Sequence, residues 1–185
     1  MEKKWIILDR DGVINIDSDD YIKSPKEWEP IPGSLEAIAK LNWAGYHIAI
    51  ASNQSAIAKG LLTDKRLEAI HKKMEKALFG VGGHIDGFFY CSHNPEDNCL
   101  CRKPKTGLFD AIADEFKISF KNVLAIGDSL RDIQAAKAAG CTAILVRTGK
   151  GEKTLKDNPN HPDLVNVTVY DDLAAAATAI LTTKK

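Results

Sequence analysis

The chain lacks both an excess of charge of one sign and any long hydrophobic run. Its 25 Lys and Arg residues balance 25 Asp and Glu residues, so the formal net charge at pH 7 is zero. A neutral chain has no broad electrostatic attraction for nucleic acid or for an anionic membrane surface. The apolar run at residues 5–8 is far shorter than a signal-peptide core, and no run approaches the roughly 20 residues of a membrane span. We therefore expect a cytoplasmic protein that binds neither nucleic acid nor membrane.

The chain also has no internal repeat, no low-complexity tract and only four cysteines among its 185 residues. This length fits one domain with a real core, so we expect a single domain over residues 1–185 that acts as a monomer. In a reducing compartment, cysteines indicate metal binding or chemistry more often than disulfides.

Short apolar runs alternate with longer stretches of helical periodicity, which predicts βαβ units and an α/β fold with a doubly wound parallel sheet. The predicted strands are residues 5–8, 46–51, 88–90, 123–126, 142–146 and 167–169. A helix is predicted over residues 133–139, and residues 152–163 are predicted to form a polar loop because they are polar and contain proline.

Two aspartates and a glycine directly follow the first predicted strand. Asp9 and Asp11 stand where a parallel strand delivers side chains to a ligand crevice, and Gly12 allows a sharp turn just beyond them. One carboxylate could attack phosphorus, while the other could protonate the leaving oxygen and later deprotonate water. Mg²⁺ suits such a cluster of oxygen ligands. The alternative from these residues alone is a polar turn after a strand.

Small polar side chains follow the second predicted strand, at Ser52, Asn53, Gln54 and Ser55. Hydroxyl and amide groups in this position are suited to hydrogen-bonding phosphate oxygens, although a polar turn would have the same composition. The long segment 17–32, between the first strand and its helix, is either a functional loop or a solvated excursion.

The four residues Cys91, His93, Cys99 and Cys101 form a C-x-H-x5-C-x-C pattern within eleven positions. Three thiolates and an imidazole match a closed tetrahedral zinc site, whose role is structural because no coordination position stays open. The alternative is that this pattern consists of two solvated or disulfide-linked pairs. Cys141 lies apart, in an apolar context that predicts a small buried residue.

Cations and a further acidic pair complete the candidate site. Arg102 and Lys103 directly follow the cysteine cluster and could neutralise charge on a phosphoryl group, although a solvated basic run is the usual interpretation of such residues. Asp128 follows the fourth predicted strand and could join Asp9 in a Mg²⁺ site. Asp132 is predicted instead to stabilise the loop and the N-terminus of the next helix.

In combination, these motifs resemble the haloacid dehalogenase superfamily of phosphotransferases. The order D-x-D-G, serine, lysine and G-D-x-x-x-D covers roughly residues 5–151. The resemblance implies a Rossmann-like fold in which Asp9 is the nucleophile and Asp11 the general acid and base. It implies that Ser52 and Lys103 hold the phosphoryl group, and that Mg²⁺ binds Asp9, the Asp11 backbone carbonyl and Asp128.

Finer detail resembles the D-glycero-D-manno-heptose 1,7-bisphosphate 7-phosphatases within that superfamily. The shared segments are D-R-D-G-V-I-N, S-N-Q-S, the cysteine cluster joined to R-K-P, and L-V-R-T-G-K-G. The resemblance implies no large cap domain, a sugar phosphate as substrate, and a place in the synthesis of nucleotide-activated heptose for lipopolysaccharide core. The residues it implies as substrate contacts are Asp17, Tyr21, Asn53, Gln54, Ser55 and Arg102.

Two other functions fit parts of the pattern. Histidinol-phosphate phosphatases have the same cysteine cluster and motif order, but their second motif usually continues Q-D-G-x-G, which differs from the segment after Gln54 here. A phospho-ligand binding module without catalysis is a third possibility, and the presence of both Asp9 and Asp11 argues against it. The absence of a basic stripe argues against a polynucleotide 3′-phosphatase.

Overall fold

The computed structural model describes residues 4–183 and forms an α/β fold. The six strands are β1 (Lys4–Leu8), β2 (Tyr46–Asn53), β3 (Gly87–Cys91), β4 (Leu124–Gly127), β5 (Thr142–Val146) and β6 (Thr168–Tyr170). The helices are α1 (Ser34–Trp43), α2 (Asp64–Gly80), α3 (Gly107–Phe116), α4 (Leu130–Ala139), α5 (Gly151–Asp157) and α6 (Leu173–Thr182). Single 3₁₀ turns occur at Pro95–Asp97 and Pro162–Leu164.

The strands form one sheet in the order β3-β2-β1-β4-β5-β6, with all pairs parallel. The chain builds outward from β1 to β3 and then crosses to β4 on the other side of β1. This reversal creates a crevice at the carboxyl ends of the central strands, where doubly wound proteins bind ligands. The predicted fold class is therefore confirmed.

Both faces of the sheet are covered, which explains why β1 is apolar without alternation. Ile6 and Leu8 pack into the core on one face, while Trp5 and Ile7 pack into the core on the other. Helices α1, α2 and α6 contribute to the first core, and α3 and α4 to the second. Within residues 4–183, no helix has both the length and the apolar character needed to cross a membrane.

Three segments differ from their sequence-based expectations. The predicted polar loop 152–163 was wrong in its first half, because α5 spans Gly151–Asp157 and its Glu, Lys and Leu residues are good helix formers. Helix α4 begins at Leu130, three residues earlier than predicted, and Asp132 lies within its first turn. The loop at 17–32 is anchored in the core, because Ile22 and Trp28 are buried.

Candidate active site

A cavity of about 210 Å³ lies at the carboxyl ends of the central strands. It brings together eleven residues that sequence reasoning selected: Asp9, Asp11, Asp17, Tyr21, Ser52, Asn53, Gln54, Ser55, Arg102, Lys103 and Asp128. They come from four loops that are far apart in sequence, so the parallel topology itself assembles the site. The only other predicted site residues, the four of the cysteine and histidine cluster, form a separate group beside it.

Three carboxylates lie close together at this site, and two of them, Asp9 and Asp128, line the cavity. Asp9, Asp128 and Asp132 offer oxygen atoms that all lie within 4.8 Å of one another. Burial raises the pKa of Asp9 to about 6, where the Lys103 ammonium opposes the rise and the Asp132 carboxylate adds to it. Burial, together with the charges of Asp132 and Asp9, raises the pKa of Asp128 to about 8. A divalent cation would relieve this repulsion, and the all-oxygen donor set fits Mg²⁺.

Lys103 is the cation that the structure places among these acids. Its side chain is 3% exposed, and its Nζ lies 3.1 Å from Asp9 Oδ1 and 2.6 Å from Asp132 Oδ1. Nζ also donates to the Ala51 carbonyl at 2.6 Å. Burial lowers the pKa of Lys103, but the carboxylates of Asp132 and Asp9 outweigh it and the net shift is upward. Lys103 is therefore a fixed positive charge at the floor of the cavity.

Asp132 holds Lys103 and the start of α4 together. Its Oδ2 accepts hydrogen bonds from the Ser129 amide at 3.0 Å and from the Ser129 hydroxyl. The bond from the Ser129 amide is one half of a capping box, in which the Ser129 side chain also accepts from the Asp132 backbone amide. Its Oδ1 faces the Lys103 ammonium. Because both oxygens of Asp132 are engaged, Asp9 and Asp128 are the carboxylates better placed to bind a metal. The prediction that Asp132 stabilises the helix N-terminus is confirmed.

The Asp11 carboxylate accepts four hydrogen bonds. Arg10 donates from Nε to Oδ1 and from Nη2 to Oδ2, both at 2.9 Å. Asn15 donates to Oδ1 at 2.9 Å and Gln54 donates to Oδ2 at 3.0 Å. Burial raises the pKa of Asp11, but the Arg10 guanidinium and the amides of Asn15 and Gln54 outweigh it and lower the pKa overall. These contacts therefore orient the Asp11 carboxylate and favour its ionised form.

Gly12 is required by the close approach of Asp128. Its φ of +80° is in the left-handed region, and a Cβ at this position would lie 2.1 Å from Asp128 Oδ2. The segment after β5 closes the same region, where Thr148 Oγ1 donates to the Gly12 carbonyl at 2.7 Å. The Lys150 amide donates to Asp128 Oδ2 at 2.7 Å. The motif L-V-R-T-G-K-G therefore orients Asp128 from the far side of the cavity.

The polar residues at the end of β2 line the cavity, and one of them also binds the loop that carries Lys103. Ser52 is buried, and its Oγ accepts from Gln54 Nε2 at 2.8 Å. The Asn53 side chain exchanges two hydrogen bonds of 3.1 Å with the backbone of Lys103. Asn53 thus fixes the position of Lys103 in addition to lining the cavity.

The loop at 17–32 forms one wall of the mouth. Tyr21 OH accepts from Lys59 Nζ at 2.5 Å, which joins this loop to the segment before α2. Lys150 Nζ lies 3.4 Å from Asp17 Oδ2 and 3.7 Å from Asp19 Oδ1, so ion pairs join the loop to the opposite wall. Asp17, Ser18, Asp19 and Tyr21 of this loop line the cavity.

The cysteine and histidine cluster has the dimensions of a metal site. Cys91, His93, Cys99 and Cys101 bring one ligand atom each to within 4.8 Å of the others. The three sulfur–sulfur distances are 3.1–3.6 Å, and all four cysteines of the chain are free thiols. Bonded disulfide sulfurs lie about 2.05 Å apart, whereas the sulfur ligands of a tetrahedral zinc ion lie about 3.8 Å apart. The expected alternative of disulfide-linked pairs is therefore wrong for this structure.

One thiol of the cluster is prepared for ionisation. Burial raises the pKa of Cys99, but hydrogen bonds from the Arg102 amide and from Cys101 outweigh it and lower the pKa to about 7. Thiolates are the form that binds metal. The Arg102 amide links the cluster directly to the segment that carries Lys103.

Sequence reasoning missed Arg131, which lines the cavity, and two residues that hold Asp11 in place. Arg10 and Asn15 are each 0% exposed, and both hold Asp11. Arg10 lies between two aspartates in the first motif, where an arginine on a solvated turn is the ordinary expectation. Asn15 offered two signals, its place at the end of the shared D-R-D-G-V-I-N segment and its spacing of four residues from Asp11.

The chain is similar to curated phosphatases over nearly its whole length. It is 49% identical over 178 residues to D-glycero-beta-D-manno-heptose-1,7-bisphosphate 7-phosphatase of Bordetella bronchiseptica, covering 96% of this chain and 98% of that protein. It is 45% identical over 181 residues to the Pseudomonas aeruginosa phosphatase of the same name, covering 98% and 99%. Residues 100–177 also match a family model described as HAD-hydrolase-like.

A solved structure agrees with this similarity. The D,D-heptose 1,7-bisphosphate phosphatase of Bordetella bronchiseptica, crystallised with magnesium and phosphate, superposes with a TM-score of 0.92. The two sequences are 48% identical, and the match covers 97% of this chain and 99% of that one. That relative therefore binds magnesium and phosphate on the same fold.

Proposed function

The chain belongs to the D-glycero-beta-D-manno-heptose-1,7-bisphosphate 7-phosphatase family, and from this premise we propose that it hydrolyses the 7-phosphate of that sugar bisphosphate. The observation that carries the proposal is the cavity in which Asp9, the Lys103 ammonium and the fixed Asp11 carboxylate meet. This arrangement supplies a nucleophile, a charge for phosphoryl oxygens and a group for proton transfer.

The reaction has two displacements at phosphorus. In the first, a carboxylate oxygen of Asp9 bonds to phosphorus while the bond to the sugar C7 oxygen breaks. The negative phosphoryl group of the bound substrate raises the pKa of Asp11, which is then protonated and gives its proton to that oxygen. In the second, water bonds to phosphorus, Asp11 takes the proton from the water, and the Asp9 carboxylate leaves. Splitting one slow hydrolysis into two easier steps is the advantage of covalent catalysis.

The side chains around Asp9 prepare it for this role. Its Oδ1 accepts from the Arg10 amide at 2.8 Å and faces Lys103. Its Oδ2 accepts no hydrogen bond from the described residues, and we assign it as the nucleophile. Ser52 and Lys103 are proposed to bind the oxygens of the phosphoryl group and so to keep phosphorus in line with Asp9.

Two metals fit the donor sets described above. We assign Mg²⁺ to Asp9, the Asp11 backbone carbonyl and Asp128, where it would offset the charge of phosphate and carboxylates. We assign a structural zinc ion to Cys91, His93, Cys99 and Cys101, where four protein ligands leave no open position. The zinc would fix the segment that carries Arg102 and Lys103.

The second phosphate of the substrate, at C1, needs cations away from the catalytic carboxylates. Arg102, Lys59 and Lys150 all line the cavity, and Arg102 is our first candidate because a guanidinium can bind phosphate oxygens in a bidentate way. The loop residues Asp17 and Tyr21 are proposed to contact sugar hydroxyl groups, with Gln54 and Ser55 across the cavity. The chain has no cap domain over this mouth within its described residues, so these loops alone shape the pocket.

Three expectations from the sequence stay predictions: a single domain over residues 1–185, a monomeric state and a cytoplasmic location. The place in nucleotide-activated heptose synthesis follows from the substrate and is part of the same proposal.

A panel of phosphate esters assayed with Mg²⁺ tests the function. We expect the highest kcat/KM for the heptose 1,7-bisphosphate, with inorganic phosphate and heptose 1-phosphate as products. Because the relatives are named for the beta anomer, we expect the beta anomer to be preferred. A preference for histidinol phosphate would contradict the substrate but not the phosphatase chemistry. Binding of the bisphosphate without turnover would contradict catalysis and favour a phospho-ligand binding module.

A further inference from the structure

We propose that Arg10 is a positioning residue, which fixes the Asp11 carboxylate for proton transfer and, through Gln54, ties it to Ser52. The inference rests on the proposed function, because it concerns the proton transfers of the same two-step reaction. Arg10 lies in the turn after β1, between the two aspartates of the first motif.

The contacts form one continuous network. The Arg10 guanidinium binds Asp11 with two parallel hydrogen bonds of 2.9 Å. Arg10 Nη2 also lies 3.3 Å from Gln54 Oε1. The Gln54 amide nitrogen in turn donates to Asp11 at 3.0 Å and to the Ser52 hydroxyl at 2.8 Å. The network therefore connects the group that transfers protons to the hydroxyl proposed to bind the phosphoryl group.

Arg10 acts through its neighbours and does not contact the substrate itself. It is 0% exposed, and it is not among the residues that line the cavity, whereas Asp11, Gln54 and Ser52 are. A ligand in the cavity would meet these three side chains, with the guanidinium behind them.

Stability alone gives a weak reason for an arginine at this position. Burying an ion pair costs desolvation that its attraction often fails to repay, and apolar residues of similar size are often as good. Arg10 Nη1 is buried and has no hydrogen-bond partner among the described residues, which adds to the cost. The gain lies in geometry, because a planar fork fixes both the position and the plane of a carboxylate.

Fixing that plane has a direct chemical consequence. The carboxyl group must lie within hydrogen-bond reach of the C7 oxygen in the first step and of the attacking water in the second. Misplacing a catalytic group by about 1 Å can cost about 10²-fold in rate. The guanidinium transfers no proton itself and changes neither the bonds formed nor the bonds broken.

The test compares Arg10→Met and Arg10→Lys with wild type in the Mg²⁺-loaded, full-length protein. We expect both variants to lose about 10²-fold in kcat on an alkyl phosphate such as the heptose bisphosphate, with KM changed little. Arg10→Lys keeps the positive charge but not the planar guanidinium that donates two parallel hydrogen bonds, so we expect its kcat to be only slightly higher than that of Arg10→Met. Arg66→Met, at an exposed arginine on α2, is the matched control and should keep wild-type turnover.

A comparison of substrates with different leaving groups distinguishes a positioning role of Arg10 from a general structural defect. With p-nitrophenyl phosphate as substrate, the leaving group p-nitrophenolate departs without a proton, so the first step does not need Asp11 as an acid. Arg10→Met should therefore release p-nitrophenolate in a burst close to the wild-type rate. A slow steady state should follow, because the second step still needs Asp11 as a base. On the alkyl phosphate the same variant should show no burst. In an Asp11→Asn background, Arg10→Met should add little further loss, because its effect passes through Asp11.

Loss of the p-nitrophenolate burst in Arg10→Met, or additive losses in the Asp11→Asn background, would overturn the inference and leave the phosphatase assignment intact. Wild type without activity on any phosphate ester would overturn both. If Arg10→Met does not fold, Asn15→Leu provides the same comparison, because it removes one donor to Asp11 and leaves the ion pair in place. Wild-type kinetics in Asn15→Leu would then contradict the positioning network.

Discussion

Lys103 Nζ lies 2.6 Å from Asp132 Oδ1, and this buried ion pair joins the segment after the cysteine cluster to the first turn of α4. Both side chains are nearly inaccessible, at 3% and 6% exposure. The pair therefore holds the proposed phosphoryl-binding cation beside Asp9.

Replacing Asp132 with asparagine should loosen this arrangement. Breaking a buried ion pair lowers the free energy of unfolding by roughly 3–5 kcal/mol. We expect a loss near the lower value, because Asp9 still faces Lys103. We also expect kcat to fall. Without the Asp132 charge, the Lys103 ammonium would move closer to the Asp9 carboxylate and make it a weaker nucleophile. Urea unfolding and Mg²⁺-dependent turnover measure both effects. Asp114→Asn, at an exposed position on α3, is the control, and equal stability of the two variants would argue against the pair.

Asp9→Asn should abolish turnover, because an amide cannot attack phosphorus. Enzymes accelerate phosphate-monoester hydrolysis by up to ~10²¹-fold, so even a very large loss remains measurable. Wild type quenched in acid during turnover of ³²P-labelled substrate should retain label that hydroxylamine removes, as an acyl phosphate would. The variant should retain none. Near-normal activity of Asp9→Asn with Mg²⁺ would move the nucleophile to another residue.

The sequence was sufficient to predict that the proposed reacting groups lie together at one edge of the sheet. Asp9, Ser52 and Asp128 each follow a short apolar run, and the carboxyl ends of parallel strands meet at one edge of a sheet. The order of motifs along the chain was therefore enough to predict that they converge, and the cysteine spacing was enough to predict the cluster.

The supporting contacts could not be predicted in the same way. Arg10 is buried because Asp11 and the amide of Gln54, 44 residues away, surround it, and no local pattern encodes that encounter. Helix α5 was missed because its surface residues are polar, while the contacts that order it, such as Thr154 with the Asp128 carbonyl, come from another loop. Local periodicity thus predicts elements and their ends, whereas burial of polar groups depends on tertiary contacts.

Cys99→Ser should lower both metal content and stability. Structural zinc contributes roughly 10–16 kcal/mol of apparent binding free energy in small peptides at neutral pH. We expect about one zinc per chain in wild type purified without chelator and a much lower content in the variant, with weaker substrate binding through Arg102. Cys141→Ser is the control, because Cys141 is buried outside the cluster. Wild type without zinc by elemental analysis would contradict the metal assignment.

His71 should make the protein less stable in mild acid. Burial, with the nearby Arg10 charge, lowers the pKa of His71 to about 4, and Asp11 only partly opposes this shift. An unfolded histidine titrates near 6.5, so the unfolded state binds the proton first as pH falls. The stabilising contribution of neutral His71 is thus complete above about pH 6.5 and is lost between there and pH 4, by at most about 3 kcal/mol.

His71→Gln removes this titration and keeps a neutral side chain beside Phe88, on which the imidazole stacks at 4.4 Å. Urea unfolding at several pH values gives the free energy of both proteins. We expect the wild-type curve to fall more steeply than that of the variant below pH 6.5, since every other titrating group is common to both. Parallel curves would show that His71 keeps an ordinary pKa in the folded state.

Arg102→Ala should weaken activity on a substrate with two phosphates more than activity on a substrate with one. Arg102 lines the cavity and makes only a weak contact with its surroundings, from Nη1 to the His93 carbonyl at 3.4 Å, so its guanidinium is available to a ligand. A hydrogen bond to a charged group contributes about 1.5–3 kcal/mol, or roughly 10–150-fold. We expect a loss of that size in kcat/KM for the heptose 1,7-bisphosphate and a small loss for the heptose 7-phosphate.

Lys59→Ala and Lys150→Ala should show a smaller difference between the two substrates, and Arg66→Ala should show none. Equal losses on both sugar phosphates would place Arg102 at the reacting phosphate, and loss confined to Lys59→Ala or Lys150→Ala would move the C1-phosphate site to that lysine.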